Sequence, residues 1–565
     1  MLYPDLPNSD LLDRIPLHAR VVLDVGCGTG SLGAAYRSLN PRALLLGIDK
    51  DPDAAAIASA RLDQVANVDV ESDPLPFQLD EGIDCIIYGD ILEHLHDPWT
   101  VLRRHVAALT DEATVLICIP NVEHWSFAAR LLHGTWNYEP SGLLDETHQR
   151  WFSLESMRRS LLAAGLALCD VHSRVFDPEK ARGFVDAIAP TLRSLGTDPG
   201  EYLTRALPLQ YVWRARKQAQ TRLVVAASML EPVGGVSHVR VVYPLRAMAS
   251  DPSLVTHIVN PPEMLPAEPN APRVCVLHRP LLDKQHGAEM LRRMFAEGWV
   301  VVTEFDDHPD FFRATQGDEN LTFRGVHAVQ TSTPALAEIL RTRNPEVMVF
   351  PNAIRILPEP RNFTDTSAMT LFFGALNREP DWESLMPTLN SVAAVVGNRL
   401  RFQVVHDRAF FAALQTPHKQ FTPTCDHDTY LRLLGQSEIA LMPLSDTPFN
   451  RAKSDLKFIE AAACRVAALA SPVVYGTSIE DGRTGLLFRD AEQLRDRLLR
   501  LLSMPDLARA LADAARAYVV AHRMLAYQVA PRIAWYRSLW ARRDELTAAI
   551  HDRLNQPVVA GIRLP

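Results

Sequence analysis

Residues 22–30 read Val-Leu-Asp-Val-Gly-Cys-Gly-Thr-Gly, three glycines at alternate positions just behind an acid. Gly26, Gly28 and Gly30 let the backbone turn tightly and approach a ligand without Cβ clashes. A nicotinamide-binding turn needs G-x-G-x-x-G, but the sixth position counted from Gly26 is Ser31. Asp49 follows Gly30 by nineteen residues and Asp69 follows Asp49 by twenty, the spacing of successive strand ends. An acid at the end of the second strand is placed to accept both hydroxyls of a ribose. The chemistry this set suits is the binding of a nucleoside-bearing cofactor.

The G-x-G-x-G form behind Asp24 is the one S-adenosyl-L-methionine sites use. The turn would hold the amino-acid end of that cofactor, with Asp24 receiving its ammonium group and Asp69 the adenine amino group. A sulfonium methyl is already electrophilic, so in-line positioning of an acceptor oxygen supplies much of the rate. An acceptor hydroxyl must also lose its proton, and histidine suits that task near neutral pH. His94, His124 and His148 are the candidates, and His148 leads because Asp145 and Glu146 stand close enough in sequence to orient it. Glu93 beside His94 could join a divalent-metal site, but the sequence offers no ligand cluster and no metal is expected.

Positioning these residues takes a parallel sheet. Short apolar runs at Val21–Val25, Ala43–Ile48, Cys85–Tyr88 and Val115–Ile119 alternate with helical stretches, which predicts a doubly wound α/β unit. Residues 178–220 read as helical and polar, a tail and linker. Strands resume at Arg222–Ser228, Val255–Val259, Val274–Leu277, Val300–Glu304, Ala328–Thr331 and Val347–Phe350. A third set follows at Thr370–Phe373, Phe402–Val405, Ile439–Leu441 and Val466–Ala470, then long helices over Ala491–His522 and Tyr527–Asn555. Two such halves joined at a hinge form a cleft where ligands bind.

The stretches LDVGCGTGSLG (23–33), GDILEHLHDPW (89–99), IPNVEHW (119–125) and GLLDETHQRWF (142–152) resemble class I S-adenosylmethionine-dependent methyltransferases, in particular the branch of bacterial surface-polysaccharide biosynthesis. The resemblance covers about residues 1–215, including the stretch ALPLQYVWRARK (206–217). It implies that the segment from Asp90 to His94 closes the cofactor pocket and that the last two motifs shape the acceptor site.

From Arg222 onward the chain resembles two-lobed, GT-B-type glycosyltransferases. Glu-Pro-Val-Gly-Gly-Val-Ser-His-Val-Arg (231–240) matches the glycine loop of the first lobe, and Phe350-Pro351-Asn352-Ala353 its exit. Phe373-Gly374-Ala375-Leu376-Asn377-Arg378 matches the opening loop of the second. The resemblance implies that Gly235 and Gly374 let backbone approach a nucleotide sugar, and that Glu460 anchors its ribose. Arg378, Lys453 and Lys457 would then stabilise the charge growing on the departing diphosphate. Lys453 and Lys457 are four apart and are expected on one side of a helix. Many such enzymes carry a second glutamate eight residues before the ribose anchor; here that position is Ala452. Glu304, Asp306 and Asp307 end a first-lobe strand, where acids could bind a metal or act as an acceptor-side base, but a loop-capping role is expected.

The expected plan is a methyltransferase domain at 1–178, a tail and linker at 179–220, glycosyltransferase lobes at 221–360 and 361–540, and a helix end and tail at 541–565. At 565 residues several compact units are expected. A net charge of −9 excludes a global basic surface for nucleic acid. The seven cysteines form no C-x-x-C pair, which favours a reducing compartment. No run of about 18 apolar residues and no leader pattern is present, so the expected setting is cytoplasmic, with peripheral membrane association allowed. Expected partners are a nucleotide sugar and a glycan or lipid-linked saccharide acceptor. The other readings are a nicotinamide-dependent nucleotide-sugar enzyme, and a methyltransferase whose C-terminal half only binds glycan.

Overall fold

In the computed structural model, residues 5–229, 234–259, 271–312, 315–317, 320–363 and 367–555 are described. They divide into two units: Met1–Arg222 with Met248–Leu254, and Leu223–Ala247 with Val255–Pro565. Among the described residues no helix is long and apolar enough to cross a membrane.

The first unit is built on seven strands: β1 (Val21–Val25), β2 (Leu44–Ile48), β3 (Gln64–Ala66), β4 (Ile83–Gly89), β5 (Leu109–Pro120), β6 (Ala167–Arg174) and β7 (Gln210–Arg216). They are ordered β3-β2-β1-β4-β5-β7-β6. β1 pairs in parallel with both β2 and β4, so the chain reverses its winding direction there. A ligand crevice opens outside the strand ends at such a point. Leu23, Val25, Ile86, Tyr88, Val115 and Ile117 pack one core on these strands, which explains their near-continuous apolar runs.

The expected helical tail is corrected in part. Residues 178–194 and 199–206 are helices, but Gln210–Arg216 is a strand inserted antiparallel between β5 and β6. Its side chains alternate. Tyr211, Trp213 and Ala215 join the core, while Arg214 donates to Asp170 and Arg216 pairs with Asp251. That period of two is a strand signal, which the charged residues mask.

The second unit holds two six-stranded sheets. The first contains β8 (Leu223–Ser228), β9 (Leu254–Val259), β10 (Arg273–His278), β11 (Val300–Glu304), β12 (Ala328–Thr331) and β13 (Val347–Val349), ordered β13-β12-β11-β10-β8-β9. The second contains β14 (Met369–Gly374), β15 (Leu400–Val405), β16 (Lys419–Thr422), β17 (Ile439–Met442), β18 (Ala467–Ala470) and β19 (Leu486–Leu487), ordered β16-β15-β14-β17-β18-β19. Each is the sheet of one lobe.

The C-terminal helices depart from the expected plan. Residues 491–522 form two helices broken at Met504, because Pro505 cannot continue the first. Helices Ala526–Ala541 and Arg543–Asn555 return to the first lobe. There the Tyr536 hydroxyl donates to Gln330 at 2.7 Å, His327 meets Thr547 at 3.1 Å and Arg553 donates to the Val326 carbonyl at 2.7 Å.

Candidate functional sites

At the end of β1 the chain enters the glycine turn. Gly26, Gly28 and Gly30 adopt φ of +74°, +52° and +77°. At Gly26 a Cβ would lie 2.8 Å from the side chain of Ile91, so the turn and the loop after β4 are in contact. At Gly28 a Cβ would meet nothing within 4 Å among the described residues, which leaves its face open to a ligand. The Gly28 amide donates to Asp49 Oδ2 at 2.7 Å, fixing turn and second strand end together. Asp24 is buried, and that burial, with the Asp49 charge, pushes its pKa up to about 7. A buried acid of this kind is suited to a cationic ligand group, which would draw it into the charged form.

Asp90 opens the loop after β4 in a left-handed conformation, φ +55°. Its Oδ1 accepts from Gln210 Nε2 at 2.6 Å, so the unexpected strand β7 supplies its partner. Burial pushes its pKa up to about 6. Asp69 is the outlier. β3 ends at Ala66, and Asp69 lies exposed three residues on, in a turn where its Oδ1 accepts from the Glu71 amide. Asn67, which sequence reasoning missed, stands nearer the strand end and donates to the Asp49 carbonyl at 2.9 Å.

Beyond Asp90, the loop carrying His148 folds onto the loop carrying Glu93 and His94. The Gln149 and Arg150 amides both donate to the Glu93 carbonyl, at 2.8 and 3.0 Å. The His94 and His148 rings meet edge to face with centroids 4.7 Å apart. Thr147 gives its hydroxyl proton to Asp145 at 2.6 Å and accepts from His94 Nδ1 at 2.8 Å. His148 Nδ1 faces the Leu143 carbonyl at 3.3 Å. A carbonyl only accepts, and the Thr147 hydroxyl gives its proton to Asp145, so the proton sits on Nδ1 in both rings and Nε2 keeps its lone pair. Burial lowers the pKa of both imidazoles, and His94 is lowered further by the His148 charge. They are neutral at pH 7. His124 is separate, facing Ser126.

The second unit sets Gly235 and Glu460 against one histidine that sequence reasoning did not single out, and Gly374 against Lys457. His427 Nε2 lies 2.8 Å from Glu460 Oε1, and a Cβ on Gly235 would come within 3.3 Å of the same ring. Asp426 caps the helix that begins at His427, and that cap was the only signal in the sequence. A side chain on Gly374 would collide with Phe372 and Tyr430 at 2.6 Å, and its carbonyl accepts from Lys457 Nζ. Burial lowers the Lys457 pKa to about 8, against the pull of Glu460. Arg378 donates to Asn450 at 2.9 Å and to Asp381 at 3.2 Å.

Lys453 is a correction. The expected single helix is two, Pro448–Arg451 and Leu456–Ala463, and Lys453 lies in the break. It therefore does not share a helix face with Lys457. Its ammonium sits 2.6 Å from Asp307 of the first lobe and 4.1 Å from the Phe449 ring. Asp455 is held by Arg523 at 2.7 Å and starts the second helix afresh. Ala452 is buried in the first lobe's apolar cluster with Phe305, Val329 and Leu336. The neighbouring acids are paired, Glu304 with Arg240 at 2.8 Å and Asp306 with Arg279 at 2.7 Å. Residues 231–233 of the glycine loop lie outside the described residues.

Residues 23–115 match the family model described as a methyltransferase domain, and residues 385–530 that described as glycosyl transferase-like. Trans-aconitate 2-methyltransferase of Methylobacterium radiotolerans is 30% identical over 116 residues, 20% of this chain and 44% of that protein. Ubiquinone biosynthesis O-methyltransferase of Pseudomonas entomophila is 36% identical over 97 residues, 16% of this chain and 40% of that one. The chain thus spans less than half the length of these curated relatives. Sucrose-phosphate synthase from Thermosynechococcus elongatus superposes with a TM-score of 0.42 at 15% identity, over 57% of this chain and 100% of that one. The chain joins an N-terminal methyltransferase domain of Rossmann-like α/β fold to a C-terminal glycosyl transferase-like domain of GT-B architecture.

Proposed function

We propose that the chain is a bifunctional transferase of surface-glycan biosynthesis. It methylates a sugar hydroxyl with S-adenosylmethionine and transfers a glycosyl unit from a nucleotide sugar to a glycan or lipid-linked saccharide in the cytoplasm. The observation that carries the first activity is the left-handed glycine turn, tied through the Gly28 amide to Asp49 and set beside the buried Asp24. Bound there, the cofactor supplies an electrophilic methyl group. Asp24 meets its ammonium, Asp49 its ribose, Asp69 its adenine, and the loop at Asp90 closes over it.

The acceptor hydroxyl is activated at Glu93, His94 and His148. His148 is the first choice to take the proton, since Nε2 keeps its lone pair and the ring is neutral at pH 7. In the second unit Glu460, with Gly235 and Gly374 alongside, holds the nucleotide sugar. Arg378, Lys453 and Lys457 offset the charge of the leaving diphosphate.

Calorimetry on two variants tests the pair of sites. Asp49→Ala should lose S-adenosylhomocysteine binding and keep that of a nucleoside diphosphate; Glu460→Ala should do the reverse. Equal damage to both ligands by both changes, or heat with NAD alone, defeats the reading. Ala452 supports a second reading, a C-terminal half that presents glycan without catalysis, because it stands where related enzymes carry a second glutamate and its surroundings are apolar. Hydrolysis of a nucleotide sugar by the full chain, lost in Glu460→Ala, would exclude it.

A further inference from the structure

We infer that Glu93, His94 and His148 are the protein ligands of a divalent-cation site. One ligand atom from each lies within 4.8 Å of the others, although the residues come from two loops more than fifty positions apart in sequence. Glu93 is the decisive observation. It is 1% exposed, and among the described residues both its carboxylate oxygens are buried without a hydrogen-bond partner. A carboxyl so placed is costly unless something compensates it. A bound cation would satisfy both oxygens at once.

The surroundings suit a metal. Both imidazoles carry their proton on Nδ1, fixed by Thr147 and by the Leu143 carbonyl, and so present an Nε2 lone pair. Behind His94, the Thr147–Asp145 relay is the kind of outer-shell support that orients a ligating histidine. Two histidines and a glutamate suit zinc or cobalt and leave a fourth position open. Metal–ligand bonds of about 2.0–2.2 Å require these atoms to close to roughly 3.4 Å.

The inference rests on the proposed acceptor pocket and deepens it. With the ion bound, His148 is a ligand and no longer the base. The ion would lower the pKa of an acceptor hydroxyl held at the open position, and the proton would then pass to solvent water.

The test is a titration of untagged, chelator-stripped full-length chain with Co2+, read as visible d–d absorption, with Zn2+ displacing it. One equivalent should bind with the intensity of a four-coordinate site. Glu93→Gln and, independently, His148→Asn should abolish the band, and Thr147→Val should weaken binding roughly 10–100-fold. No band in the wild type, or one that both ligand variants leave unchanged, overturns the site. Calorimetry with S-adenosylhomocysteine on the same samples separates the two claims. Heat without a band sinks the metal and leaves the methyl-transfer reading standing; a band without heat does the opposite.

Discussion

His427 Nε2 and Glu460 Oε1 lie 2.8 Å apart, and the ring they share space with is the one a Cβ on Gly235 would touch at 3.3 Å. A glycine loop of one lobe and a carboxylate of the other are thus linked through a single imidazole. Burial works against charging that imidazole, but the hydrogen bond and charge of Glu460, with Asp428 and Asp426 behind it, win, and its pKa is raised.

A raised histidine pKa fixes the sign of a pH effect. The pair stabilises the fold fully below the unfolded histidine pKa of about 6.5, and that contribution is lost as pH rises through the higher folded value. The melting temperature of the full chain should therefore fall as pH climbs above about 6.5. In His427→Gln that part of the slope should vanish. An unchanged slope in the variant would show that the pair is not the source.

Asp24 gives the opposite dependence, in binding. Its pKa of about 7 in the free protein reflects burial and the Asp49 charge. An ammonium group favours the charged carboxylate, so binding releases a proton wherever Asp24 starts protonated. S-adenosylhomocysteine affinity should weaken below pH 7, by up to about tenfold per unit. Calorimetry in buffers of different ionisation enthalpy should detect the released proton, and Asp24→Asn should flatten the profile.

The two lobes and the glycine turn were legible because they rest on backbone demands. Apolar runs of strand length and glycines at Gly26 and Gly30 leave few alternatives. β7 was not legible, since Arg214 and Arg216 look solvated until their partners Asp170 and Asp251, far away in sequence, are brought beside them. The same reason hid His427 and the grouping of Glu93 with His148. Pairwise contacts between loops depend on how the sheet is wound, and no local spacing encodes them. Lys453 misled in another way: a helical spacing from Lys457 exists, but a helix break intervenes.

Gly26 and Gly28 should separate stability from binding. Both have positive φ, so alanine costs about 1–2 kcal/mol at either through backbone strain. At Gly26 the added Cβ also collides with Ile91, whereas at Gly28 it enters open space. Gly26→Ala should lower the melting temperature more than Gly28→Ala. Conversely, Gly28→Ala should stay folded and still lose much of its S-adenosylhomocysteine affinity, because the new methyl group stands where the ligand would approach. Equal binding by wild type and Gly28→Ala would mean that the turn does not face the cofactor.

Ala452→Glu asks whether the missing glutamate can be restored. Ala452 is 3% exposed and packs with Phe305, Val329 and Leu336. A carboxylate there has apolar neighbours, and Asp307, 2.6 Å from the adjacent Lys453 ammonium, adds a like charge nearby. An uncompensated buried charge costs about 3–5 kcal/mol, so the variant should unfold at lower denaturant and gain no transfer activity. Ala452→Ser, smaller and neutral, should cost far less. If the glutamate variant were as stable as wild type and turned over donor faster, the packing of Ala452 against the first lobe would not be what fixes this position, and the cleft would have room for a second acid.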